Sequence, residues 1–139
     1  MGRRRGARAL VVLLAAVPAP GTAAAADGPA PCVVREGRPH TDWTGMRWDA
    51  DVLCDNTAGD VRLQSFFSSP VVGRMVTTRS WFVCWKTGDP HQGGNRIWYY
   101  TQGDVITNWP LWKGWGYVPA FRTETEPDPF PGLPACLPS

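Results

Sequence analysis

Ser80-Trp-Phe-Val-Cys-Trp-Lys-Thr-Gly-Asp-Pro-His-Gln-Gly-Gly-Asn-Arg-Ile-Trp-Tyr-Tyr-Thr-Gln-Gly-Asp104 is the stretch on which the fold turns. Two aromatic runs, Trp81–Trp85 and Ile97–Tyr100, flank a polar connection that holds Gly88, Pro90, His91, Gly93, Gly94 and Asn95. Aromatic and β-branched residues suit a pleated surface, and glycine and proline punctuate it. The stretch therefore predicts a β-hairpin with a long loop. Within the second run, Trp98 and Tyr100 face one side and Ile97, Tyr99 and Thr101 the other.

The same grammar extends outward. Val61–Ser65 alternates apolar and polar residues, and Val71–Val76 is a strand whose central Gly73 predicts a bulge or a close backbone approach. Trp81–Trp85, Arg96–Gln102 and Trp115–Val118 complete a set of five strands. No helical period or capping box interrupts residues 54–122. Short strands at such regular spacing predict an all-β domain, a small barrel or sandwich. Upstream, Val33-Val34 reads as a short strand or an edge segment, 36–42 as loop, and 44–54 as one irregular strand or a loop with a strand at its end. Downstream, Thr123–Pro134 contains four prolines and is expected to lie extended over the domain, held by Cys136.

Residues 1–26 have the form of a secretory signal peptide: a basic start through Arg8, an apolar run Ala9–Val17, and small residues before an expected cleavage after Ala26. The apolar run is too short to span a bilayer. The chain has 14 basic and 12 acidic residues; without Arg3, Arg4, Arg5 and Arg8, ten basic residues face twelve acidic ones. Basicity thus belongs to the leader and supports neither a nucleic-acid nor an anionic-membrane partner. The organisation read from the sequence is a leader (1–26), an N-terminal extension (27–53), a β-domain (54–122) and a tail (123–139). It is expected to be extracellular and monomeric.

Cys32, Cys54, Cys84 and Cys136 all follow the leader, and an even count in a small exported chain predicts two disulfides. Of the three pairings, Cys54–Cys84 with Cys32–Cys136 is preferred, joining neighbouring strands and tying the ends. A zinc site has no support without a C-x-x-C or a close Cys/His pair, and no cofactor is implied. Asp42, Asp49, Asp51, Asp55 and Asp60 do not follow calcium-loop spacing and read as a solvated acidic face.

Val61-Arg-Leu-Gln-Ser65 followed by Pro70-Val-Val-Gly-Arg-Met75, then Ile97-Trp-Tyr-Tyr-Thr101 and Gly114-Trp-Gly-Tyr-Val118, resembles in order and spacing the secreted bacterial SH3-like (SH3b) domains of actinobacterial type. The likeness runs from Val61 to Ala120, about half of residues 27–139. It implies a five-stranded SH3-like barrel and a binding module, often directed at peptidoglycan peptides. This chain departs from the pattern at Gln64–Pro70, where Phe66 and Phe67 replace glycine, and at an insertion over Thr107–Trp112.

The functional expectation is a non-enzymatic module that binds a peptide or cell-wall ligand through aromatics and loops near 85–115. Trp85, Tyr99, Trp109 and Trp112 would supply flat contact area, with His91, Asn95 and Asp104 as polar groups. The opposing reading makes these aromatics core or loop cover. A second class, a small hydrolase using His91 oriented by Asp89, Asn95 or Asp104, lacks a nucleophile in a suitable context. A third is an inhibitor of extracellular proteases with an exposed loop as bait.

Overall fold

The structure, a computed structural model, describes residues 2, 6, 9–21, 32–124 and 127–137. The described residues form β1 (Val33–Thr41), β2 (Arg47–Asp55), β3 (Gly59–Arg62), β4 (Val71–Met75), β5 (Arg79–Phe82), β6 (Cys84–Thr87), β7 (Ile97–Gln102), β8 (Val105–Ile106) and β9 (Trp115–Pro119). They make two antiparallel sheets, ordered β1-β2-β5 and β6-β7-β9-β3-β4-β8. The expected hairpin is present, with Trp85 opposite Tyr99 and Lys86 opposite Trp98.

Trp81–Trp85 is two strands rather than one. The chain leaves β2 at Phe82 and joins β7 at Cys84, and Phe82, Val83 and Cys84 are all buried. A segment passing from one sheet to the other is covered on both faces, so it reads as a continuous apolar run without alternation. Gly73 makes the close approach its position suggested: a Cβ there would stand 3.0 Å from the Val105 carbonyl and 3.1 Å from that of Gly114. A register shift lies beside it, between Val61 and Arg62.

Residues 36–42, expected as loop, instead belong largely to β1. Gly37, at φ 66°, sits in an irregularity of register between Glu36 and His40, and Pro39 is tolerated because β1 is an edge strand. The boundary expected at 53/54 falls inside β2, which pairs with both β1 and β5.

That pairing corrects the disulfides. The bonds are Cys32–Cys54 and Cys84–Cys136. Val33 pairs with Leu53, which brings Cys32 beside Cys54, while the Cys136 amide donates to the Trp85 carbonyl at 2.8 Å. Cys54 and Cys84 lie in different sheets, which is why the preferred Cys54–Cys84 link does not form. The described part of the tail packs on the hairpin: Trp85 N–H donates to the Pro134 carbonyl at 3.0 Å, and Leu133 is buried. Where an extended path was expected, it bends over 127–129 and turns at 131–132, with the Leu133 amide donating to the Phe130 carbonyl at 3.1 Å.

The main core gathers Val52, Cys54, Val61, Val72, Met75, Phe82, Tyr99, Val118, Ala120 and Leu133. A second cluster, Val83, Cys84, Tyr100 and Trp115, packs with Trp48, Trp81, Tyr117 and Cys136. Trp98, Tyr99, Tyr100 and Thr101 are all buried, so β7 is covered on both faces. Burying aromatic side chains is the largest apolar contribution available to so small a domain.

The aspartates do not form one solvated face. Asp51 is buried, accepting from Arg35 Nε at 2.7 Å and Nη2 at 2.6 Å, with His40 Nε2 2.7 Å away. Asp55 pairs with Arg79 at 2.7 Å. Residues 9–21 carry no regular structure, and their apolar side chains are exposed. The expected cleavage point, Ala26, and the segment to Pro31 lie outside the described residues. Among the described residues no helix is long and apolar enough to cross a membrane.

Candidate functional site: an aromatic cleft

The turn joining β1 to β2 is built by Asp42. Its Oδ1 accepts from the Thr44 amide at 2.9 Å, the Thr44 hydroxyl at 2.6 Å and the Met46 amide at 3.1 Å. Gly45, at φ 88°, takes the left-handed position that closes the turn. This geometry carries Trp43 outward, where its ring meets the edge of Trp112 at a centroid distance of 3.8 Å.

Trp112 arrives from the opposite side. It ends a short 3-10 turn, Pro110–Trp112, bracketed by Trp109 (φ 55°) and Lys113 (φ 53°). Two non-glycine residues in the left-handed region store strain, which surrounding bonds must hold. The Thr107 amide donates to the Val72 carbonyl at 3.1 Å, and the Asn108 side chain donates to the Val71 carbonyl at 3.2 Å.

Between these two turns lies a cavity of about 400 Å³, within the range of small-ligand sites. Tyr100, Trp115 and Tyr117 form its floor with the Cys84–Cys136 disulfide; Trp48, Met46, Leu63, Gln64 and Leu137 complete the walls. The floor follows from strand alternation. Tyr100 pairs with Tyr117 and with Cys84, and Trp115 lies two residues before Tyr117, so all project from one face. Tyr100 stands 5.3 Å from Trp115 and 4.8 Å from Tyr117, centroid to centroid.

The electrostatics are one-sided. Asp42 Oδ2 accepts from the Tyr100 hydroxyl at 2.9 Å. Burial, and then the Asp42 carboxylate beside it, push the Tyr100 phenol far above its ordinary range. Burial, followed by the Asp42 charge, raises Tyr117 to about 12. Both phenols stay protonated at neutral pH, and Tyr100 serves as donor to Asp42. Outside the lining, Lys86 places Nζ 4.1 Å from the Tyr117 ring centre and donates to Gln64 Oε1 at 2.9 Å; burial lowers its pKa.

Of the residues expected to bind, Trp112 alone lines this cavity. Trp85 is half-buried against the main core, and Tyr99 is buried with its hydroxyl donating to Asp128 Oδ1 at 2.6 Å. Asn95 donates to Asp128 Oδ2 at 3.1 Å. Asp104 Oδ2 accepts from the Val76 and Thr77 amides at 2.7 and 3.0 Å, and these bonds outweigh its burial and hold its pKa below the usual range. Trp109 is exposed at the outer end of its turn. His91 Nε2 lies 2.9 Å from the Ile97 carbonyl, and Nδ1 accepts from the Gly93 amide at 3.1 Å. Both ring nitrogens therefore face backbone, and the side chains of Asp89 and Asn95 are engaged elsewhere.

Sequence reasoning missed Asp42, Trp43, Trp48, Tyr100, Trp115 and Tyr117 as a group. Part of the signal was available: Tyr100 shares a face with Trp98, and Trp115 shares one with Tyr117, by alternation alone. No family model, no curated protein and no solved structure matches the chain.

Proposed function

We propose that the chain is an exported, non-enzymatic binding module of SH3-like type that takes a peptide or cell-wall (peptidoglycan) ligand in the aromatic cleft. One observation carries this reading. Six aromatic side chains, Trp43, Trp48, Tyr100, Trp112, Trp115 and Tyr117, converge on a single cavity of about 400 Å³. Trp43 and Met46 at its rim are partly exposed, as an open binding face requires. Rigid aromatic surfaces give large contact area at low entropic cost, which suits extended peptides and sugar faces alike. Two disulfides, with the basic and apolar leader, favour an extracellular setting.

Retention of residues 27–139 on purified peptidoglycan is the direct test. The unaltered domain should be retained, and Trp43→Ala with Trp112→Ala should release it while its circular dichroism is unchanged. No retention, together with a measurable hydrolytic activity lost in His91→Ala, would replace this reading with the enzymatic one. Stoichiometric inhibition of a secreted serine protease would replace it with the inhibitor.

A further inference from the structure

Among the described residues that line the cleft, Asp42 is the one that carries a formal charge, and no Lys, Arg or His is present. The other described aspartates before β3 ends are paired: Asp51 and Asp55 with Arg35 and Arg79, Asp49 with Arg47, and Asp60 with Arg62 and Arg74 at longer range. Asp42 has no cationic partner among the described residues. Its Oδ1 is committed to the turn, whereas Oδ2 accepts one bond, from Tyr100, and keeps acceptor capacity.

We infer that the cleft selects a cation: the ammonium or guanidinium end of a lysine- or arginine-type side chain of a peptide ligand, seated against Asp42 among the aromatic rings. This rests on the reading of the cleft as the binding site. Aromatic faces attract cations through their quadrupole, and the attraction grows where water is excluded. A fixed carboxylate among those rings adds a charge-assisted hydrogen bond. Met46 and Leu63 offer apolar surface to the side-chain stem. Lys86 sets the direction. Its ammonium already occupies the Tyr117 ring and repels a second cation there, which leaves the Asp42, Trp43 and Trp112 end for the ligand.

The test titrates the domain with Nα-acetyl-lysine methylamide, its arginine analogue, the Nε-acetylated lysine form and the norleucine analogue. The readouts are the Trp43 and Trp112 indole N–H resonances and tryptophan fluorescence. The lysine and arginine probes are expected to bind about tenfold more tightly than the neutral ones. That preference should weaken in about 0.5 M salt. It should vanish in Asp42→Asn, which retains the side-chain carbonyl that holds the turn. Equal binding of charged and neutral probes to the unaltered chain overturns the cation inference and leaves the cleft as a binding site. Retention on peptidoglycan with no response of either indole to any probe overturns the cation inference and moves the binding site off the cleft. Because the decisive comparison uses the unaltered chain, it stands whether or not the variant folds.

Discussion

The Tyr100 hydroxyl donates to Asp42 Oδ2 at 2.9 Å, a bond between residues 58 positions apart. It fastens the β1–β2 turn to the six-stranded sheet and fixes the position of the cleft's carboxylate. The floor of the site and its carboxylate are thus joined by a direct hydrogen bond.

Tyr100→Phe removes that bond and should lower stability by roughly 1–2 kcal/mol, since the acceptor is charged and keeps access to water. The tyrosine also predicts alkaline behaviour. Its folded pKa is raised, so the unfolded chain releases the phenolic proton first, near 10. Stability should be full below pH 10 and fall above it. Thermal midpoints between pH 8 and 11 check this, and Tyr100→Phe should flatten the decline. An unchanged slope in the variant would remove Tyr100 from the account.

Acid behaviour should be governed in part by Asp51. Burial alone would raise its pKa, but the hydrogen bonds from Arg35 and then His40 outweigh burial and hold it below the usual range. The unfolded chain therefore takes up this proton first. The stabilisation is present above about pH 4 and is lost as pH falls below it. Asp51→Asn leaves Arg35 and His40 facing an uncharged group and should cost roughly 2–4 kcal/mol at pH 7. Urea denaturation at pH 7 and pH 3 should show the variant's deficit shrinking in acid.

Non-reducing peptide mapping should link Cys32 to Cys54 and Cys84 to Cys136. Loop closure over 22 and 52 residues corresponds to about 3 and about 4 kcal/mol of stabilisation, respectively, in the chain-entropy treatment. Removing the second bond also frees Cys136 from the cleft floor. The Cys84→Ser, Cys136→Ser variant should accordingly lose both more stability and more ligand affinity than Cys32→Ser, Cys54→Ser.

Two tryptophans of one turn should behave differently. Trp112 lines the cavity and packs on Trp43, whereas Trp109 is exposed outside it. Trp112→Ala should weaken retention on peptidoglycan about tenfold or more, as expected for an aromatic anchor. Trp109→Ala should leave retention within about twofold. The reverse order would move the binding surface from the cleft to the tip of the turn.

The β-hairpin of Trp85 and Tyr99 and the presence of two disulfides were legible in the amino-acid sequence. These rest on local signals: aromatic and β-branched runs, glycine and proline punctuation, and an even cysteine count. Alternation also determined that Tyr99 and Tyr100 point to opposite faces. It could not say what would cover either face. That Tyr99 enters the core while Tyr100 floors a cleft depends on β2, the tail and the Asp42 turn arriving from distant positions. The same holds for Cys54, whose partner follows from the pairing of β1 with β2, and for Phe82–Cys84, which crosses between sheets. Side-chain direction is a property of the local backbone, but burial, disulfide choice and the walls of a cavity are properties of which strands become neighbours. The cleft was therefore settled by tertiary structure, through contacts such as Tyr100 with Asp42 that no local pattern encodes.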